Sequence, residues 1–211
     1  MVTDVFLQKR TIDIQFNEII QEILCGEYSN EEDGEYLIHK DKRKVNLLNA
    51  SSGQQEILPL LLILQTLLSI KGDIFGNKGI VLYLEEPEAH LYPNAQRNVI
   101  KLLARIFNSS NKNYQLFITT HSPYILSSFN NLIYAGLLNN KLNDSEKKKI
   151  FKIVSKDEII EPSELSAYSI SAKGQLKSVI DSETKLIAQN ILDDVSNDIS
   201  KEFGKLMDLE S

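Results

Sequence analysis

The hydrophobic pattern of this chain changes period several times. Thr11-Ile-Asp-Ile-Gln-Phe16 alternates polar and apolar residues with the period of two that suits a strand; Phe16, Ile19, Ile20, Ile23 and Leu24 then recur at helical spacing. Glu27 to Gly34 is acidic and reads as a loop. Tyr36-Leu37-Ile38 and Val45-Asn46-Leu47 read as two strands of a hairpin. The apolar run from Ile57 to Ile70 predicts a buried helix, closed by Lys71-Gly72, with a loop continuing to Gly79. Ile80 to Leu84 are five consecutive apolar residues, a run that reads as a buried strand of a parallel sheet. Pro93 opens a helix with the stripe Val99, Ile100, Leu103, Ile106 and Phe107; proline suits the first turn because its missing donor would have no partner there. Leu116 to Ile118 predict a second buried strand, Ser122-Pro123 a short helix through Phe129, and Leu132 to Ala135 a third strand.

The remainder differs in character. Lys147 to Glu161 is charged. Ala167-Tyr-Ser-Ile-Ser and Leu176-Lys-Ser-Val-Ile flank Ala172-Lys-Gly-Gln and read as a hairpin. Asp181-Ser-Glu-Thr supplies helix-start residues, and Leu192, Val195, Ile199, Phe203 and Leu206 follow at spacings of three and four. That stripe suits docking on the body of the domain; a contact with a partner or a second copy is the sharper alternative. Glu202, Asp208 and Glu210 oppose the dipole at the end of this helix, so the end frays or pairs with a basic neighbour. The pattern divides the chain into 1–48, 49–146 and 147–211, with no internal repeat or low-complexity tract.

At 211 residues and 42% hydrophobic content, the chain can bury one core, or one core and a small appendage. The single cysteine, Cys25, cannot form an internal disulfide, which points to a reducing, cytoplasmic compartment. With no histidine near it in sequence, its thiol reads as a small packed side chain. Met-Val-Thr-Asp carries no signal pattern, and the fourteen residues from Ile57 to Ile70 are too few to span a bilayer. A net charge of −6 and a pI of about 5.2 argue against a broad nucleic-acid surface. The basic run Lys40-Asp41-Lys42-Arg43-Lys44 reads as the solvated tip of the first hairpin in preference to a phosphate contact.

Three segments carry candidate chemistry. The strand at Ile80 to Leu84 runs into Glu85-Glu86-Pro87. Adjacent carboxylates at a buried strand end are costly unless they hold a cation or move a proton. The C-terminal edge of an α/β sheet is also where such folds bind ligands. The pattern is that of a Walker B strand; the alternative is a strand entering an exposed acidic turn. Asn49-Ala50-Ser51-Ser52-Gly53-Gln54-Gln55 precedes the long helix, where hydroxyls, backbone N–H groups and the helix dipole make an anion site. Ser51 or Ser52 would equally serve as an ordinary N-cap. In Gln115-Leu-Phe-Ile-Thr-Thr-His-Ser-Pro123, His121 falls at a strand end, at the same predicted sheet edge as the glutamates.

In this order the three segments resemble ABC-type ATPases. Ala50-Ser51-Ser52-Gly53-Gln54 is similar to the signature motif, Glu85 and Glu86 to the Walker B pair, and His121 to the switch histidine, while Glu88-Ala89-His90-Leu91 lies where the family has its D-loop. The spelling Glu-Glu-Pro-Glu-Ala-His-Leu-Tyr-Pro, followed by Thr-Thr-His-Ser-Pro, most resembles a branch of prokaryotic AAA-labelled ATPases. That branch is related to RecF, SMC proteins and the overcoming-lysogenisation-defect nucleases; its members are soluble and are not transporter subunits. The resemblance covers roughly residues 45 to 135. Glu85 stands where most ABC ATPases carry aspartate, Ala50 where many carry leucine, and Ser52 where many carry glycine. No GxxxxGK[ST] phosphate loop occurs in the chain; Gly204-Lys205 is followed by Leu206. The family's P-loop lies upstream of the signature, and about fifty residues precede it here. The expectation is therefore a C-terminal half of an ATPase head, whose first half is cut away or carried by another chain.

The resemblance implies an α/β fold: a partial P-loop NTPase domain of ABC type with a mostly parallel sheet flanked by helices, plus a C-terminal hairpin and helix. It implies ATP and Mg²⁺, a second ATPase head and a P-loop half in cis or in trans, and DNA or a nuclease effector reached through other regions; it implies no membrane. In such heads two protomers sandwich ATP. Ser51, Ser52, Gly53 and Gln54 would close over ATP bound to the opposite protomer, Glu85 would support Mg²⁺, Glu86 would orient or deprotonate the attacking water, and His121 would contact the γ-phosphate. Glu88 and His90 would lie near the dimer seam. DNA repair, phage defence and control of a linked nuclease are all compatible with this branch. A rival reading is a metal-dependent hydrolase or nuclease that draws ligands from Glu85, Glu86, Glu88, His90 and His121. Pro87 and Pro93, however, leave little room for a ligand-bearing helix. A third is a non-catalytic interaction module with relic ATPase motifs.

Overall fold

The computed structural model describes residues 14–69, 79–109, 114–171, 173–188, 201–203 and 207. The chain forms two compact units. The first runs through Thr120 and adds Lys156–Glu158; the second takes His121–Ser155 and the chain from Ile159 onward.

In the first unit, helix α1 (Ile14–Leu24) buries Phe16, Ile19, Ile23 and Leu24 on one face. Ile14–Phe16 are helical and not the end of a strand; the three- and four-residue spacing that starts at Phe16 prevails over the short alternation before it. Thr11, Ile12 and Asp13 lie outside the described residues. Cys25 closes the helix as an exposed residue with φ +53°, so the thiol is not a packed core group. Strand β1 (Glu27–Glu31) occupies the segment expected to be an acidic loop. It pairs antiparallel with β2 (Gly34–Ile38), which pairs with β3 (Lys44–Asn46). Backbone pairing to β2, where Leu37 is fully buried, outweighs the poor strand propensity of Glu27 and Glu31. The basic tip is engaged locally: Arg43 Nε is 2.6 Å from Asp41, Lys44 Nζ is 2.7 Å from Glu31, and Lys44 also lies over the Tyr36 ring.

Helix α2 (Ser52–Ser69) starts before its apolar run, because a cap described below begins it at Ser52. Lys71-Gly72 and the loop to Gly79 lie outside the described residues. Strand β4 (Ile80–Glu85) lies parallel to β5 (Tyr114–Thr119), with Leu82 opposite Leu116 and Glu85 opposite Thr119. Between them runs α3 (Pro93–Phe107), which buries Val99, Ile100, Leu102, Leu103 and Ile106 and packs against α1, α2 and β5. The strand pair corrects one expectation. Its burial alternates: Ile80, Leu82 and Leu84 are half-buried, whereas Val81, Tyr83 and Phe117 are 46%, 75% and 45% exposed. Among the described residues, the helices of this unit supply a layer for one face only. On the other face Tyr83 and Phe117 stack, ring centres 4.9 Å apart.

The second unit opens with α4 (Pro123–Lys141), one helix of 19 residues. It replaces the expected short helix and third strand. Leu132 to Ala135 is too short a run to distinguish strand from buried helix, and in the structure Ile125, Ser128, Leu132, Ile133, Ala135 and Gly136 share the buried side of the helix. Gly136 is required there: a Cβ would stand 2.4 Å from the Ile160 carbonyl oxygen. A capping box between Asn143 and Glu146 starts α5 (Asp144–Ile150). Strands β6 (Tyr168–Ile170) and β7 (Leu176–Ser178) form the expected antiparallel hairpin. Asp181-Ser-Glu-Thr makes a turn where a helix start was expected. Asp181 Oδ1 accepts from the Glu183 and Thr184 amides and the Thr184 hydroxyl, and Ile180 bridges to Ile187. Asn130 on α4 holds Ile187 through both its N–H and its C=O. Leu192, Val195, Ile199 and Leu206 of the C-terminal stripe lie outside the described residues; Phe203 is exposed.

Candidate functional site

The first unit brings the end of β4 and the start of α2 together. Glu85 is the last residue of β4, and the Glu86 amide donates to the Thr119 carbonyl at 3.0 Å, so the ladder with β5 runs one residue past the strand. Glu86 has φ +42°, a left-handed conformation that β4 leaves through a sharp turn. Both glutamate side chains are exposed. The loop then tightens on itself. The Ala89 amide donates to the Glu86 carbonyl at 2.9 Å, the Leu91 amide to the Glu88 carbonyl at 3.0 Å, and His90 takes φ +56°. Glu88 turns inward, 7% exposed, and accepts a hydrogen bond from the Thr120 hydroxyl. The same loop is thereby fastened to the end of β5.

Its opposite side is fastened to α2. Ser51 is the N-cap of that helix: its hydroxyl accepts from the Gln54 amide at 3.3 Å, while Gln54 Oε1 accepts from the Ser51 amide at 3.0 Å and the Ser51 hydroxyl at 3.1 Å. This is a reciprocal capping box with glutamine at the third helical position. Gln54 Nε2 also donates to the Leu24 carbonyl at 2.6 Å, and Gln55 Nε2 holds the Leu48 and Ala50 carbonyls. Gly53 is buried against the loop after β4; a Cβ would meet the His90 carbonyl oxygen at 2.4 Å and Leu91 at 3.2 Å. One helical turn on, Glu56 Oε2 lies 2.8 Å from His90 Nδ1.

Of the residues singled out from sequence, Ser51, Ser52, Gly53, Gln54, Glu85 and Glu86 belong to this unit. Ser51 and Gln54 use their side chains to start the helix, and Gly53 uses its missing side chain to admit His90. Ser52 is exposed at the first helical position, where its amide has no acceptor within the helix. His121 belongs to the second unit and is exposed; the neighbouring Ser122 caps α4 by accepting from the Tyr124 amide at 3.1 Å. Three contributors had no individual signal in the sequence. Glu56 meets His90 across 34 positions, and Thr119 and Thr120 were legible only as a polar strand end. The roles of the two threonines depend on β4 and β5 being neighbours, and that of Glu56 on α2 lying against the loop after β4.

Chemically, the arrangement offers two exposed carboxylates at the C-terminal edge of a parallel strand pair. Beside them stands a loop held rigidly between β5 and a helix N-terminus. Carboxylates there suit a hydrated divalent cation and an attacking water, and helix-start amides suit phosphate. Among the described residues no group of three or more histidine, cysteine, aspartate or glutamate side chains converges to hold a metal ion by protein ligands alone. The rival set of Glu85, Glu86, Glu88, His90 and His121 therefore does not form a metal cage. Glu88 faces Thr120 and His90 faces Glu56.

Comparison with known proteins agrees with the motif reading. The chain is 38% identical over 79 residues to the endonuclease GajA of Bacillus cereus (strain HuB5-5), a match that covers 31% of this chain and 12% of that protein. It is 32% identical over 93 residues to the retron Ec83 probable ATPase of Escherichia coli, covering 42% of this chain and 16% of the relative. The chain thus spans less than a fifth of the length of these curated relatives. Residues 5–126 match the family described as the AAA ATPase domain, more than half of the sequence, and the chain belongs to that family.

Proposed function

We propose that this chain is the C-terminal portion of an ABC-type ATPase head that binds and hydrolyses ATP at a head–head interface, with its phosphate loop supplied by a segment outside these residues. The observation that carries the reading is the delivery of Glu85 and Glu86, exposed and adjacent, to the C-terminal edge of β4, against a loop seated on the N-terminus of α2. Glu85 would hold Mg²⁺, through water. When bound, that ion neutralises charge on the β- and γ-phosphates. Glu86 would orient or deprotonate the attacking water, and His121 would contact the γ-phosphate. Ser51, Ser52, Gly53 and Gln54 would face ATP on a second head. Given the internal bonds of Ser51 and Gln54, Ser52 and the helix-start amides would make the contact. Phosphoryl transfer needs mainly positioning and charge neutralisation, which a fixed carboxylate pair and amide donors supply.

The test is Glu86→Gln in the ATPase completed by its P-loop half. ATP binding and head dimerisation are expected to persist, while kcat falls by about 10²-fold or more, the size of a lost general base. Turnover within a few-fold of the parent would remove Glu86 from the mechanism. The names of the relatives, an endonuclease and a probable ATPase, fit a role in which such a head drives or restrains a nuclease.

A further inference from the structure

The loop after β4 is fastened differently on its two sides. Toward β5, the Glu86 amide donates to the Thr119 carbonyl at 3.0 Å and the Thr120 hydroxyl donates to Glu88. Toward α2, Gly53 offers only a close approach to the His90 carbonyl, which shapes a seat without gripping it. The grip comes from side chains: Glu56 Oε2 lies 2.8 Å from His90 Nδ1. An ionised carboxylate only accepts, so with a neutral imidazole the proton of this bond is on Nδ1. Glu56 thereby selects one tautomer of His90 and one orientation of its ring. The backbone beneath that ring needs holding, because its φ of +56° lies in the left-handed region. Glu86, four residues earlier, has φ +42°, and the Ala89 amide donates to its carbonyl at 2.9 Å. The two left-handed residues are the ends of one short turn, so a change at His90 is passed to Glu86 through the three residues between them.

We infer that Glu56 is a positioning residue for Glu86: by gripping His90 it holds the turn that carries Glu86 against the start of α2. The inference rests on the function proposed above, in which Glu86 handles the attacking water and the start of α2 meets the nucleotide of a second head. Its consequence is that these two parts of the chemistry belong to one rigid piece. A displacement at the start of α2 reaches Glu86 through Glu56 and His90. The size of the effect follows from exposure. Both side chains of the pair are more than half exposed, and such a pair contributes at most a factor of about five. The effect on turnover has the same ceiling, because the turn can only be held less of the time.

Two experiments test this. The first is NMR of the full chain, parent against Glu56→Ala and Glu56→Gln. In the parent at about pH 8, the nitrogen shifts of His90 are expected to report the Nδ1–H tautomer. In Glu56→Ala that signature is expected to be lost, and the Ala89 and Leu91 amides to exchange with solvent about fivefold faster, while the Leu82 amide of β4 keeps its rate. Glu56→Gln, whose side-chain oxygen accepts the same proton, is expected to restore both. A parent without the Nδ1–H tautomer, or loop exchange indifferent to Glu56→Ala, overturns the inference. The second is the kinetics of the ATPase completed by its P-loop half. Glu56→Ala is expected to lower kcat about fivefold and to change KM for ATP by less than about twofold. His90→Asn, which tolerates left-handed backbone, is expected to lose as much, and the double variant no more than the slower single one, because both remove the same grip. A purely structural pair would lower the denaturation midpoint and leave kcat unchanged. That result, or losses that multiply in the double variant, removes the positioning role. A completed parent that does not turn over ATP removes the ATPase reading instead, and the exchange rates then decide by themselves whether Glu56 holds the turn.

Discussion

At the scale of single residues, the site is built on unusual backbone. Glu86 and His90 both hold positive φ without being glycine, at a cost on the order of 1 kcal/mol each. The hydrogen bonds from Glu86 to Thr119 and the seat under His90 keep them there. Gly53 is the residue that makes the seat. Gly53→Ala is expected to destabilise the chain by roughly 1–3 kcal/mol, because its Cβ would need the space of the His90 carbonyl, and backbone cannot swing aside as a long side chain can. Denaturant unfolding measures the loss; a change under a few tenths of a kcal/mol would show that the two segments are not in contact. The nearby Glu56–His90 pair is about half exposed on both sides and adds little to stability, at most about 1 kcal/mol, so its contribution is geometric.

At the scale of elements, one connection carries unusual weight. Glu158, 1% exposed, is held by Arg105 of α3 at 2.7 Å, with Lys101 Nζ 3.6 Å from its other oxygen. Arg105→Ala leaves a buried carboxylate short of its main partner and is expected to cost about 3–5 kcal/mol, somewhat less if Lys101 moves closer. The double variant Arg105→Met, Glu158→Leu should recover most of that loss, because two apolar groups remove the need for pairing; denaturation midpoints of the single and double variants check both statements. The turn after β7 is expected to respond to pH. Thr184 and Glu183 donate to the Asp181 carboxylate, the amide and hydroxyl of Thr184 contributing most, and hold its pKa below the usual range. A lowered folded pKa contributes stability above the unfolded value of about 3.9, lost as pH falls through the folded value. An acid titration followed at the Thr184 amide by NMR should therefore have its midpoint below about 3.9; a midpoint at or above it would mean the turn bonds do not form in solution.

At the scale of the whole molecule, each unit has its own buried cluster: Leu61, Leu64, Ile100 and Leu103 in the first, Ile125, Leu132, Ile133 and Ile160 in the second. On the proposed ATPase reading, the candidate site is incomplete. Carboxylates, a loop and a helix start are present, but the chain has no GxxxxGK[ST] to bind the phosphates. The chain alone is thus expected to release phosphate from ATP at no more than the buffer rate in a coupled assay, and sustained turnover that Glu86→Gln abolishes would show that its own residues suffice. Much of this was legible in the sequence. Local periodicity and turn chemistry determined α3 from Pro93, the β6–β7 hairpin and strands at Ile80–Leu84 and Leu116–Ile118, and the order of motifs places the chain among ATPases. Those signals depend on neighbours a few residues apart. Segments whose local preferences are weak or divided went the other way: Glu27 to Glu31 became a strand because β2 offered it a ladder, and Leu132 to Ala135 became helix because its side chains continue a buried helical face. Contacts between distant positions were invisible for the same reason. That Gly53 admits His90, that Glu56 meets it, that Glu88 takes the Thr120 hydroxyl, and that the Tyr83 and Phe117 face of β4 and β5 is left exposed were decided by packing, which only the folded chain brings into being.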